Sequence, residues 1–172
     1  MDFRQLPREK LLALLDAYAR HTLATDGLWF MAVEEKFGHG AAMELDARVW
    51  EKLAEQECTR VLGALGVRER NVATVLQALE ASPMALTLGP RTELVSENKG
   101  LVWFEDCRIQ KNRIKMGLQD FICKPMGYIW FEGFARAVNP DIKVSCIFCH
   151  PEPHPPDEWC RWVMELVPQQ KR

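Results

Sequence analysis

Five of the six cysteines in this 172-residue chain lie at Cys107, Cys123, Cys146, Cys149 and Cys160, with His150 and His154 beside the last three. The densest part reads Cys146-Ile-Phe-Cys149-His150-Pro-Glu-Pro-His154-Pro-Pro-Asp-Glu-Trp-Cys160. Thiolates separated by two residues can grip one metal ion from a single turn. A soft cation, zinc or the iron of an iron–sulfur cluster, favours that ligand type. Four thiolates would close a structural tetrahedral zinc site, and three with a histidine (His150 or His154) would leave an exchangeable position. An iron–sulfur cluster would use similar ligands, although the spacings match no ferredoxin pattern. The competing reading makes several of these residues small buried hydrophobes, as free cysteine often is.

Cys146-x-x-Cys149-His150 also spells the attachment motif of c-type haem. That cofactor is not expected: its attachment is ordinarily extracytoplasmic, and the charged N-terminal stretch has no continuous apolar export segment. A redox dithiol would need a βαβ setting that the flanking pattern does not supply.

The second group is Asp26-Gly-Leu-Trp29-Phe30-Met-Ala-Val-Glu34-Glu-Lys-Phe. On one helix, Asp26, Trp29, Phe30 and Glu34 would meet on neighbouring turns and could line a pocket. Glu34 or Glu35 could orient a metal-bound histidine or act as a base. The alternative is a helix cap, core aromatics and two solvated glutamates. Trp103 and Trp130 fall near the cysteines and could wall an apolar cavity. The basic run Arg108, Lys111, Arg113 and Lys115 reads either as a solvated face or as an anion-recognising rim. One cavity facing both motifs is expected, with Asp26, Arg113 and cysteines supplying the chemistry. His21 and His39 stand alone.

These residues need elements to hold them. Pro7 suits a first helical turn, and Leu11, Leu14, Leu15 and Tyr18 recur at helical spacing. A second helix is expected to open at Thr25 or Asp26 and stop at Gly38; a third runs from about Gly40 to the Gly63–Gly66 region. A fourth carries Val72, Val75, Leu76 and Leu79. Two strands, at Thr92 and Leu101, are joined by a turn at Asn98-Lys-Gly100. Helices over 108–116 and 125–138 follow, then strands over 142–148 and 159–167 around a proline-rich loop. This predicts one α+β domain over 1–172: a helical part over 1–83 packed on an antiparallel sheet, with one or two further helices, over 84–172.

Nearly half the residues are apolar, and the formal net charge of −2 offers no field for nucleic acid or an anionic membrane. No stretch approaches the ~18 apolar residues of a membrane span. A cytoplasmic protein with reduced thiols is therefore expected. Phosphate-binding glycine loops and serine elbows are absent from the sequence.

Asp26-Gly-Leu-Trp-Phe with Val33-Glu34, Cys107-Arg-Ile-Gln110-Lys-Asn-Arg113, Cys123-Lys124-Pro-Met-Gly127, Phe134-Ala135-Arg136 and Cys160-Arg-Trp162 resemble an uncharacterised prokaryotic family labelled "cytosolic protein". That resemblance spans nearly the whole chain and brings Gln110 among the candidate pocket residues. The C-terminal half is similar to the L-2-amino-thiazoline-4-carboxylate hydrolase-like proteins, in an aromatic strand ending in cysteine with later cysteines around a helix and strand. Two functions are compatible with these features. One is a metal- and small-molecule-binding protein with a thiolate-rich site, with a homodimer possible. The other is a hydrolase for a small molecule, cysteine-nucleophilic or metal-assisted.

Overall fold

The computed structural model describes residues 2–167. A 30-residue helix, α1 (Arg8–Phe37), meets α2 (His39–Leu65) at a sharp break. Gly38 makes the break at φ 87°, a region that L side chains avoid. The expected division of α1 near Asp26 does not occur. One glycine inside a helix costs about 1 kcal/mol, and the buried Ala19, Phe30 and Val33 on both sides of Gly27 outweigh that. Asp26 is consequently a mid-helix residue and not a cap.

α3 (Val72–Glu80) starts where the Asn71 side chain accepts from the Thr74 amide. Beyond it lies a short helix that the periodicity did not suggest, α4 (Pro83–Leu88). Ser82 caps it and Pro83 takes the first-turn position. The chain then changes to strands. β1 (Arg91–Ser96) and β2 (Lys99–Phe104) form the expected hairpin. After α5 (Arg108–Lys115) and α6 (Cys123–Val138) come β3 (Ile142–Cys149) and β4 (Cys160–Leu166).

The antiparallel sheet has the order β1-β2-β4-β3, so β4 inserts beside β2 and the Pro-rich loop crosses one end. Val102, Phe104, Trp162 and Met164 point from its inner face into a core shared with α6, α2 and α3. Two close approaches fix α6 in this core. A Cβ on Gly127 would stand 2.3 Å from the Trp162 ring, and one on Gly133 would stand 2.4 Å from the Ala54 Cβ. The architecture is therefore α+β, with N-terminal helices and a C-terminal four-stranded antiparallel sheet. Among the described residues no helix is long and apolar enough to cross a membrane.

Candidate functional site

The register of the sheet gathers the cysteines at one end. Cys149 closes β3 directly opposite Cys160, the first residue of β4, and Cys160 in turn faces Phe104 at the end of β2. Three residues past Phe104 the chain reaches Cys107, just before α5, and Cys123 is the first residue of α6. Four separate segments thus deliver sulfur to one place. The Cys149 thiol interacts with those of Cys123, Cys160 and Cys146, and Cys107 feels both Cys123 and Cys160. All six cysteines are free, and Cys58 stands apart in the core of α2, with its thiol directed at the Phe134 carbonyl 3.7 Å away.

Neighbouring thiols cannot all ionise in a half-buried setting, so their proton affinities diverge. Cys123 is held below the ordinary thiol range, first by the Cys149 thiol donating to it and then by Gln110 Nε2, 3.1 Å from its sulfur. Cys149, as that donor, is pushed up, by its sulfur neighbours and then by burial. Burial raises Cys107 to about 12, against amides of α5 that point at its sulfur. Burial likewise raises Cys146 to about 11. A thiolate at Cys123, the first residue of a 16-residue helix, also sits at the favourable end of the helix dipole.

Gln110 is fully buried and does more than touch Cys123. Its amide donates to the Phe121 carbonyl at 2.6 Å and accepts from the Phe121 amide at 3.1 Å, clamping the segment that leads into α6. One turn along, Arg113 is buried on α5 as well. Its guanidinium makes two bonds to Glu34, at 3.0 and 2.6 Å, and its Nε donates to the Gln119 carbonyl at 2.6 Å. His39 Nδ1 lies 2.6 Å from the same Glu34 carboxylate, so neither His39 nor Glu34 stands alone. Arg113 draws Glu34 below its usual range, with His39 assisting. The solvated-face reading fails for Arg113, whereas Lys111 and Lys115 are exposed.

α5 therefore connects the two sequence motifs and also separates them. On the side away from the sulfurs lies a cavity of about 840 Å3 between α1 and α5. Asp26, Phe30, Arg113 and Phe121 are on its wall, together with Asp46 of α2. The cysteines, Trp29, Trp103 and Trp130 are not. Trp29 is half exposed over a shallow groove with Val49 and Lys52. Trp103 lies on the outer face of the sheet under Arg161, 5.0 Å from the ring centre. Trp130 packs in the core against Phe131 and Phe134.

Asp46 was not anticipated, yet a signal exists. Ala42, Asp46, Trp50, Ala54 and Cys58 recur every four residues and all are buried, so a carboxylate stands in an apolar stripe. Burial, then the nearby Asp26, raises Asp46 to about 7, while the Trp50 indole N–H opposes the shift at both carboxyls.

The two histidines form a separate cluster at the loop. His150 Nδ1 is 3.1 Å from His154 Nε2, and His150 Nε2 is 3.4 Å from Asp120. Both rings pack on Trp159. Among the described residues, no group of three or more His, Cys, Asp or Glu side chains is already set to hold a metal ion.

Comparison with curated proteins and with solved structures gave no match. A family model does match, over residues 4–166, which takes in every element from α1 to β4. The chain belongs to that family, a family of unknown function (DUF6125).

Proposed function

We propose that this is a metal-binding cytoplasmic protein whose thiolate-rich site uses Cys107, Cys123, Cys149 and Cys160, with a small-molecule cavity on the other side of α5. The observation that carries the reading is the convergence of four cysteines from four chain segments on one end of the sheet. Cys149 belongs to the core and Cys123 and Cys160 pack against it, so the reading rests on thiols from four segments meeting, not on their burial. Zinc bound by four thiolates at ~2.3 Å would set the sulfurs ~3.8 Å apart in a tetrahedron. An iron–sulfur cluster would use the same donors. The positions of Gln110 and of the α5 amides, aimed at sulfur, support negative charge there.

Metal analysis of protein purified without chelator tests the proposal. About one zinc ion, or iron with matching sulfide, per chain is expected. Cys149→Ser should lose most of it and Cys58→Ala should retain it. Folded, metal-free protein with six titratable thiols, unchanged by added zinc, would refute it.

A second reading is favoured by one observation, the position of Cys123. A sulfur at a helix start that accepts from Gln110 suits a nucleophile, and the resemblance to thiazoline-carboxylate hydrolase-like proteins would make the reaction a hydrolysis. Metal-free protein in which Cys123 is alkylated much faster than the other thiols would support this reading instead.

A further inference from the structure

The cavity between α1 and α5 has an unusual charge arrangement. Its walls are mostly apolar, supplied by residues such as Leu23, Phe30, Met31 and Ile109. Two carboxyls, Asp26 and Asp46, enter this setting, with Asp46 only 7% exposed. Among the described residues neither has an ion-pair partner within 4.0 Å. The Trp50 indole N–H is shared between them, one donor for two acids. Buried carboxylates without a cation are costly, and a cavity beside them leaves room for one.

The cations on the same wall do not fill that role. Arg113 is committed to Glu34, and Arg20 to Asp16 at 2.7 Å. Arg108 and Lys115 are exposed on α5, where solvent and salt screen them within about 10 Å. The deep pair therefore outweighs the rim in choosing a ligand. From this we infer that the α1–α5 cavity is a binding site for a small organic amine, whose ammonium group is held by Asp26 and Asp46 and whose apolar body lies against Phe30, Met31 and Ile109. The inference is independent of the thiolate site and uses none of its residues.

Binding would displace the proton that burial holds on Asp46, because an ammonium ion stabilises both carboxylates at once. The groups facing Asp46 are Asp26 and the Trp50 N–H, with Arg20, Arg108, Arg113 and Lys115 around the cavity wall. None of these four cations loses its charge near neutrality, so the proton released comes from the carboxyl pair. Amine affinity should accordingly rise between about pH 5.5 and pH 7.5, and the heat of binding should depend on the buffer's ionisation enthalpy.

Phenethylamine and 3-phenylpropionate, which differ chiefly in the sign of the head group, are suitable probes for calorimetry on the full chain. Phenethylamine should bind with proton release, and 3-phenylpropionate should not compete with it. Asp46→Asn should weaken the amine roughly 30-fold or more, the scale for removing one partner of a buried charge pair. That variant relieves a buried charge and so should fold. Ala24→Phe, at an exposed position on the cavity wall, is a second variant that should block the amine without touching the core. Equal binding of the two probes, no binding of either, or full amine affinity in Asp46→Asn would overturn the inference.

Discussion

Glu34→Gln probes the connection between α1 and α5 most sharply. The wild-type pair is bidentate, at 3.0 and 2.6 Å, with side-chain exposures of 7% for Arg113 and 15% for Glu34. Removing one partner of a buried pair costs about 3–5 kcal/mol, because the other charge is left uncompensated. Two features reduce that figure here. Glutamine keeps one acceptor oxygen, and the carboxylate side lies nearer to water. The expected loss is therefore about 2–3 kcal/mol, or roughly 5–10 °C in Tm for a chain of this size. Urea unfolding at pH 7 measures it.

Acid unfolding gives an independent check on sign. Glu34 is depressed in the folded state, so its contribution is present above the unfolded value of about 4.3 and is lost as pH falls through the folded value. The variant should lack that acid limb and converge with wild type once pH has fallen below the folded value of Glu34. A loss below about 0.5 kcal/mol, the scale of an exposed pair, would refute the claim that this ion pair fastens α5 to α1.

Two further outcomes follow from packing and burial. Asp46 and Glu57 are each raised to about 7, chiefly by burial. The folded state then binds protons that the unfolded state has released, so stability should fall as pH rises from 5 to 7. The slope is bounded by about 1.4 kcal/mol per pH unit per group; Asp46→Asn should remove its share and leave that of Glu57, and a stability rising over that window would contradict the assignment. Gly127→Ala would force a Cβ into the Trp162 ring and should destabilise by about 1–3 kcal/mol in thermal or urea unfolding.

Much of the fold was legible because its signals are local. The hairpin at Asn98, the helix over 108–115 and the strands on either side of the Pro-rich loop follow from turn residues and periodicity. The length of α1 did not, since Thr25-Asp26-Gly27 has the composition of a helix start and only packing on α2 and α4 overrides it. The gathering of cysteines at element ends could be anticipated from the strand pattern. Their separation from the Asp26 cavity could not, because it depends on how α5 is rotated in the fold: Ile109, Asn112 and Arg113 line the cavity and Gln110 does not. Trp29, Trp103 and Trp130 show the same limit: residue type suggests a wall, but only the tertiary arrangement decides between groove, outer sheet face and core.

X-ray absorption at the metal edge of protein purified without chelator tests the thiolate site most directly. The account predicts a shell of four sulfurs at ~2.3 Å, as zinc–thiolate bonds require. Replacement of Cys149 by serine should deplete that shell, and replacement of Cys58 by alanine should leave it intact. A first shell of nitrogen and oxygen alone at ~2.0–2.1 Å, or protein that carries no metal and acquires none, would contradict it.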